Sequence, residues 1–179
     1  MYKDDIFVKL KEFDEMICAT YGKEVKLDVV IVGASGFVLG SYLFRSTVDI
    51  DVYGPLPIDE NILKNYDMNT GVNAFSMMEP YNYKDRLVRI DIDTKVVNYY
   101  RFSLEDLVVM KLASTRGKDY QDITQDSVVS VLNWDLLEKI VYEECDNSFN
   151  DKPYKELIEK FEVYKKEYKK WESSLFRHL

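Results

Sequence analysis

The sequence predicts an α+β fold: a small mixed β-sheet flanked by helices, with a C-terminal helical region. Short β-branched runs that close on glycine occupy the first part of the chain, at residues 27–33 and 48–54. Helical periodicity takes over from residue 103. No repeat, low-complexity tract or linker interrupts the 179 residues. Strands followed by helices is the α+β order. The expected division is a core over 1–102 and a helical region over 103–179, packed together as one unit.

Ile6, Leu10, Phe13 and Ile17 recur at spacings of 4, 3 and 4 and predict an amphipathic helix over 4–20. The run "LDVVIVG" (27–33) reads as a buried strand. "ASGFVLGSYLF" (34–44) reads as a buried helix packed closely through Gly36 and Gly40. "VDIDVYG" is the next strand, closed by Gly54, Pro55 and Pro57. "IDENILKNY" reads as a short helix, and "VNAFSMM" (72–78) as a third strand. Residues 86–100 form a hairpin pattern turning near Asp93–Thr94. Ser103 followed by Asp106 resembles a capping box and opens a helix. "KDYQDITQDSVVSVLN" and "WDLLEKIVYEEC" read as two more. A long helix over 152–173 follows, with an apolar seam of Leu157, Phe161, Tyr164, Tyr168, Trp171 and Leu175 at heptad spacing. That seam is expected to pack on the preceding helices.

Composition narrows the function classes. The chain is 46% hydrophobic and 31% charged, ordinary for a globular protein. No apolar run reaches the length of a membrane span, so no membrane partner is expected. The start, "MYKDDIFVKLKEF", is charged and amphipathic, unlike a secretory leader. Cys18 and Cys145 are too few and too far apart for a disulfide framework or a zinc site. The expected location is the cytoplasm. A net charge of −8 argues against unspecific attraction to nucleic acid, although a local basic groove is compatible with it. Residues 151–179 carry a net +2 against about −10 for the rest. His178 is the only histidine, which argues against imidazole catalysis and histidine metal sites.

The chemistry concentrates in "STVDIDVYG" (46–54). Alternation along a strand sends Asp49 and Asp51 to one face and Ile50 and Val52 to the other. Two adjacent carboxylates repel, and a divalent cation removes that cost. Mg²⁺ takes oxygen ligands and often uses one or two carboxylates together with substrate phosphates. Phosphoryl and nucleotidyl transfer use such a cation to neutralise charge and align the attacking oxygen. The plainer reading is a pair of solvated strand-edge acids. Sixteen residues before Asp49, Gly33 ends the first strand and "GAS" opens a helix, whose first N–H groups could meet phosphate oxygens. The plainer reading there is a glycine that only permits a tight turn. No Walker lysine follows, and the dinucleotide GxGxxG is absent.

"GASGFVLGSYLFRSTVDIDVYG" resembles the polymerase β-like nucleotidyltransferase superfamily: glycine and a small residue, a helix, then an Asp-hydrophobic-Asp strand. Arg45, Thr47, Asp49, Ile50 and Asp51 match the Arg-x-Thr-x-Asp-Ile-Asp run of its bacterial abortive-infection and toxin–antitoxin branch. "SLEDLVVMKLASTRGKDYQDI" resembles that branch's later motifs through Lys111, Arg116, Lys118, Asp119 and Asp122. The two blocks cover roughly 28–54 and 103–123. The resemblance implies a nucleotidyltransferase fold and transfer of a nucleoside monophosphate from an NTP, with Mg²⁺ or Mn²⁺, to a tRNA or protein acceptor. It implies a toxin-like role restrained by a cognate antitoxin. Asp49 and Asp51 would hold the metal. A third acid is expected on a neighbouring strand, where Asp91 or Asp93 is available; Asp91 has apolar neighbours as the superfamily prefers, whereas Asp93 suits a hairpin turn. Gly33, Ala34, Ser35, Arg45, Thr47, Arg116 and Asp122 would contact the nucleotide. Lys111 would neutralise phosphate charge, and Asp119 would orient it or activate the acceptor. The plainer readings are a lysine stem lying along apolar surface and acids favoured by a helix start. Two rival functions share these residues: a nucleotidyltransferase fold that binds without turnover, and an antibiotic-modifying nucleotidyltransferase.

Overall fold

The computed structural model describes residues 1–71, 78–145 and 151–169. The chain divides into two units, Met1–Ser76 with Lys84–Ser103 and Met77–Tyr83 with Leu104–Leu179.

In the first unit, helix α1 (Lys3–Tyr21) buries Ile6, Leu10, Phe13 and Ile17, the stripe its periodicity predicts. Strand β1 (Leu27–Ile31) leads into α2 (Gly33–Leu39). That helix is shorter than the sequence suggests, because Gly40 ends it and Ser41 adopts a left-handed φ of 60°. Strand β2 (Ile50–Tyr53), helix α3 (Glu60–Asn65) and strand β3 (Met68–Asn69) follow. Asp59 caps α3 by accepting from Asn61 N at 2.8 Å. The strand expected at 72–78 falls almost wholly outside the described residues. Strands β4 (Val88–Arg89) and β5 (Val97–Arg101) form the expected hairpin.

The five strands run in the order β3-β2-β1-β5-β4. Strand β1 is antiparallel to β2 and parallel to β5, which makes the sheet mixed. A buried carboxylate anchors α1 beside it. Asp14 accepts from Val96 N and Val97 N through Oδ1 and from Lys95 N through Oδ2, each at 2.8 Å. Tyr99 Oη donates to Leu10 O at 2.7 Å, and burial pushes the Tyr99 phenol well above its ordinary range.

In the second unit, α4 (Leu104–Ala113) starts directly after Ser103 and is buried along most of its length. The single helix expected over 118–133 is two, α5 (Gly117–Ile123) and α6 (Asp126–Val129), separated at Thr124–Gln125. Helix α7 (Trp134–Lys139) is capped by Asn133 and runs on into a π-turn over Ile140–Glu144. Buried Glu105 accepts from Asn133 N at 2.9 Å and so ties α4 to the start of α7. Helix α8 (Asp151–Tyr168) buries Leu157, Phe161 and Tyr164 against this bundle. Tyr164 stacks near Trp134 at 5.4 Å and donates to Ile123 O at 2.7 Å. Trp171, Leu175 and His178 lie outside the described residues. Among the described residues, no helix is long and apolar enough to cross a membrane.

Candidate active site

Alternation through residues 49–52, at and just before the start of β2, separates the side chains as the sequence implies. Ile50 and Val52 are fully buried, while Asp49 and Asp51 are half-exposed. Val32 N donates to Asp51 O at 2.9 Å, so Asp51 sits level with the residue before Gly33. Gly33 has φ +60°, and a Cβ built there would lie 2.0 Å from Asp51 Oδ2. The Asp51 carboxylate thus fills the space that any side chain at residue 33 would need. Glycine is required twice over here, for the left-handed backbone and for this close approach.

Ser35 completes the junction from inside. Its fully buried hydroxyl donates to Val32 O at 2.8 Å and accepts from Asp51 N at 3.1 Å. Thr47, also buried, donates its hydroxyl to Asp49 O at 3.1 Å. Its main chain bridges to Met1, with Thr47 N donating to Met1 O at 2.9 Å and Met1 N to Thr47 O. Arg45 Nη1 donates to Ser46 O at 3.0 Å. Asn69 on β3 donates through Nδ2 to Asp49 Oδ2 at 3.1 Å. A cleft of about 490 Å³ opens beside Asp49, lined by Val48, Leu63, Met68, Asn69 and Thr70 among others.

The second unit holds the other block of candidates. The Lys111 ammonium is buried, 2.6 Å from Asp119 Oδ1 and 2.8 Å from Asp122 Oδ2. Ser114 Oγ and Arg116 Nε donate to Asp119 Oδ2 at 2.6 and 2.7 Å. Burial works to raise the Asp119 pKa, but the Lys111, Ser114 and Arg116 donors outweigh it and hold the carboxyl below its usual range. Lys111 and Arg116 thus meet Asp119, and Lys111 also meets Asp122. A cleft of about 410 Å³ adjoins it, lined by Lys111, Ser114, Arg116, Tyr120 and Lys160 among others.

Residues 8–169 match the family described as nucleotidyltransferase of unknown function (DUF6036). The chain belongs to this nucleotidyltransferase family. No curated protein and no solved structure matches it. Family membership supports a transferase at a coarse level, and the α+β architecture agrees with a nucleotidyltransferase-like fold.

Several expectations change in the structure. Asp91 does not join Asp49 and Asp51. Ile90 N donates to Tyr99 O at 2.9 Å, and Tyr99 pairs with Val29. Asp91 therefore continues toward the Asp28 end of the sheet, whereas Asp51 lies at the Val32 end. Asp91 and Asp93 are both exposed. Among the described residues, no three His, Cys, Asp or Glu side chains gather as a metal site. The buried Ser35 and Thr47 hydroxyls bond the site's own main chain. Gly33 and Ala34 are partly exposed. Lys111, Arg116, Asp119 and Asp122 do come together, as one network. Asn69 was missed by the motif reading. Its local signal was "MNTG", because Gly71 N donates to Asn69 Oδ1 at 2.8 Å, the turn an Asn two residues before a Gly favours.

Proposed function

We propose that this chain transfers a nucleoside monophosphate from an NTP to an RNA or protein hydroxyl, with Asp49 and Asp51 holding Mg²⁺ or Mn²⁺. The supporting observation is that the Asp51 carboxylate fills the space a Cβ at Gly33 would need, which sets the glycine turn against one acid of the pair. The donor set suits the cation: two half-exposed carboxylates, both hard oxygen ligands, beside buried Ile50 and Val52. When bound, the ion would neutralise phosphate charge and polarise the reacting phosphoryl group.

The remaining steps fall to the chain's own groups. The partly exposed turn at Gly33 and Ala34 gives phosphate oxygens close access to the backbone. The acceptor oxygen attacks the α-phosphorus, the bond to the bridging oxygen breaks, pyrophosphate leaves and the hydroxyl proton passes to water. Within the second unit, Asp119 and Asp122 hold the Lys111 ammonium. With three donors upon it and a lowered pKa, Asp119 is a weak base, so orienting Lys111 is its better-supported role. The toxin-like role, restrained by an antitoxin, rests on the Arg45-x-Thr47-x-Asp49-Ile50-Asp51 resemblance.

One observation favours a second reading, a binding module without turnover: the pair lacks a third acid among the described residues. Label transfer separates the two. The protein is mixed with Mg²⁺, each α-labelled NTP, total tRNA and cell extract, beside an Asp49→Asn/Asp51→Asn variant. Label on RNA or protein that vanishes with the variant is the expected result. Nucleotide binding without label on any acceptor would favour the module, and label surviving in the variant would refute the assignment of the site.

A further inference from the structure

We propose that Asn69 is a positioning residue that holds the Asp49 carboxylate, occupying the neighbouring-strand position where a third acid was expected. The proposal rests on the reading of Asp49 and Asp51 as a cation and nucleotide site. Strand β3 lies beside β2 in parallel register, with Asn69 paired to Asp51. The Asn69 side chain is bonded at both ends. Gly71 N–H can only donate, so the amide oxygen must face it, at 2.8 Å. That leaves the amide NH₂ turned to Asp49 Oδ2, at 3.1 Å. Gly71 allows this lock, since a Cβ there would stand 2.9 Å from the Asn69 oxygen.

Asp49 is thereby fixed at two points, its carboxylate by Asn69 and its carbonyl by the Thr47 hydroxyl at 3.1 Å. Without the amide, the carboxylate is free to turn about its side-chain torsions and must be re-ordered each time a cation binds. An amide also differs from an acid in charge. It supplies a donor and no negative charge, so the position steadies Asp49 without adding a third carboxylate to the pair. Partners of this kind around a metal ligand typically alter affinity by about 10–100-fold.

The test uses the full chain and Mn²⁺ as the probe, titrated by electron paramagnetic resonance, with metal-free thermal melting measured alongside. Asn69→Ala should weaken Mn²⁺ binding about tenfold while the metal-free melting temperature stays near that of the wild type. Asn69→Asp should bind Mn²⁺ more tightly than the wild type, because it adds a carboxylate beside the pair. Unchanged Mn²⁺ affinity in Asn69→Ala would overturn the proposal and leave the transferase reading intact. Equal weakening in both variants, tracking a loss of metal-free stability, would also overturn it, since the residue would then be only structural. If the wild type takes up no more Mn²⁺ than Asp49→Asn, the cation reading itself fails and this proposal falls with it.

Discussion

Replacing Gly33 with alanine should disable the site far more than it destabilises the fold. Two costs arise. The first is the left-handed backbone at φ +60°, worth about 1–2 kcal/mol for a residue with a Cβ. In a domain of this size that lowers the melting temperature by about 2–8 °C. The second is steric. The new Cβ would meet Asp51 Oδ2 at 2.0 Å, where ordinary contact begins near 3.4 Å. The carboxylate must therefore retreat by about 1.4 Å, and a misplacement of about 1 Å can cost about 100-fold in rate. Gly54 supplies the control. It has φ +89° with nothing within 4 Å of a built Cβ, so Gly54→Ala carries the backbone strain without the collision. The assay is thermal melting together with Mn²⁺ binding and label transfer for both variants. Similar melting losses are expected, with binding and transfer lost only in Gly33→Ala. Wild-type Mn²⁺ binding and transfer in Gly33→Ala would refute the claim that Asp51 needs the space at residue 33.

Asp14→Ala removes the acceptor for three main-chain N–H groups, two of them buried. At about 1–3 kcal/mol for each buried donor left unpaired, a loss of about 3 kcal/mol or more is expected in urea melts, and Asp14→Asn should recover part of it. The lowered pKa of Asp119 predicts a pH dependence. The ionised form is favoured by folding, so its contribution is complete above the unfolded value of about 4 and fades as pH falls through the lower folded value. Stability measured by urea unfolding should therefore decline below about pH 4, and Asp119→Asn should flatten that part of the curve. An unaltered slope would show that the Lys111 network does not govern it.

The parts that were legible in the sequence are those written in side-chain period. Alternation in Asp49-Ile50-Asp51-Val52 gave the half-exposed acids and the buried apolar pair. The spacing of Ile6, Leu10, Phe13 and Ile17 gave α1. The link between Lys111 and Asp119 followed from the resemblance carried by residues 103–123, whereas Asp122, expected at the nucleotide, lies against the Lys111 ammonium instead. The parts that escaped depend on register and on neighbours. Strand β3 has only two residues and is defined by its pairing to β2, so no apolar run announces it. Asp91 was attractive because Ile90 and Ile92 flank it, but its height along the sheet is set by the β4–β5 pairing. The buried bonds of the Ser35 hydroxyl to Val32 O and Asp51 N depend on how β1 and β2 pair, which the run "GAS" does not announce.

The pairing of β1 with β5 also bears on how the chain emerges during synthesis. Leu27 meets Val97 and Ile31 meets Arg101, so one side of β1 finds its partner only after some 70 further residues have been made. The α1 groups Leu10 O and Asp14 wait even longer for Tyr99 and for the amides of residues 95–97. Until then β1 can pair with β2 while its other edge stays open to any passing strand. The growing polypeptide is thus exposed to mispairing until Arg101 has left the ribosome, and slowing translation before that moment should lengthen the hazard while slowing it afterwards should not.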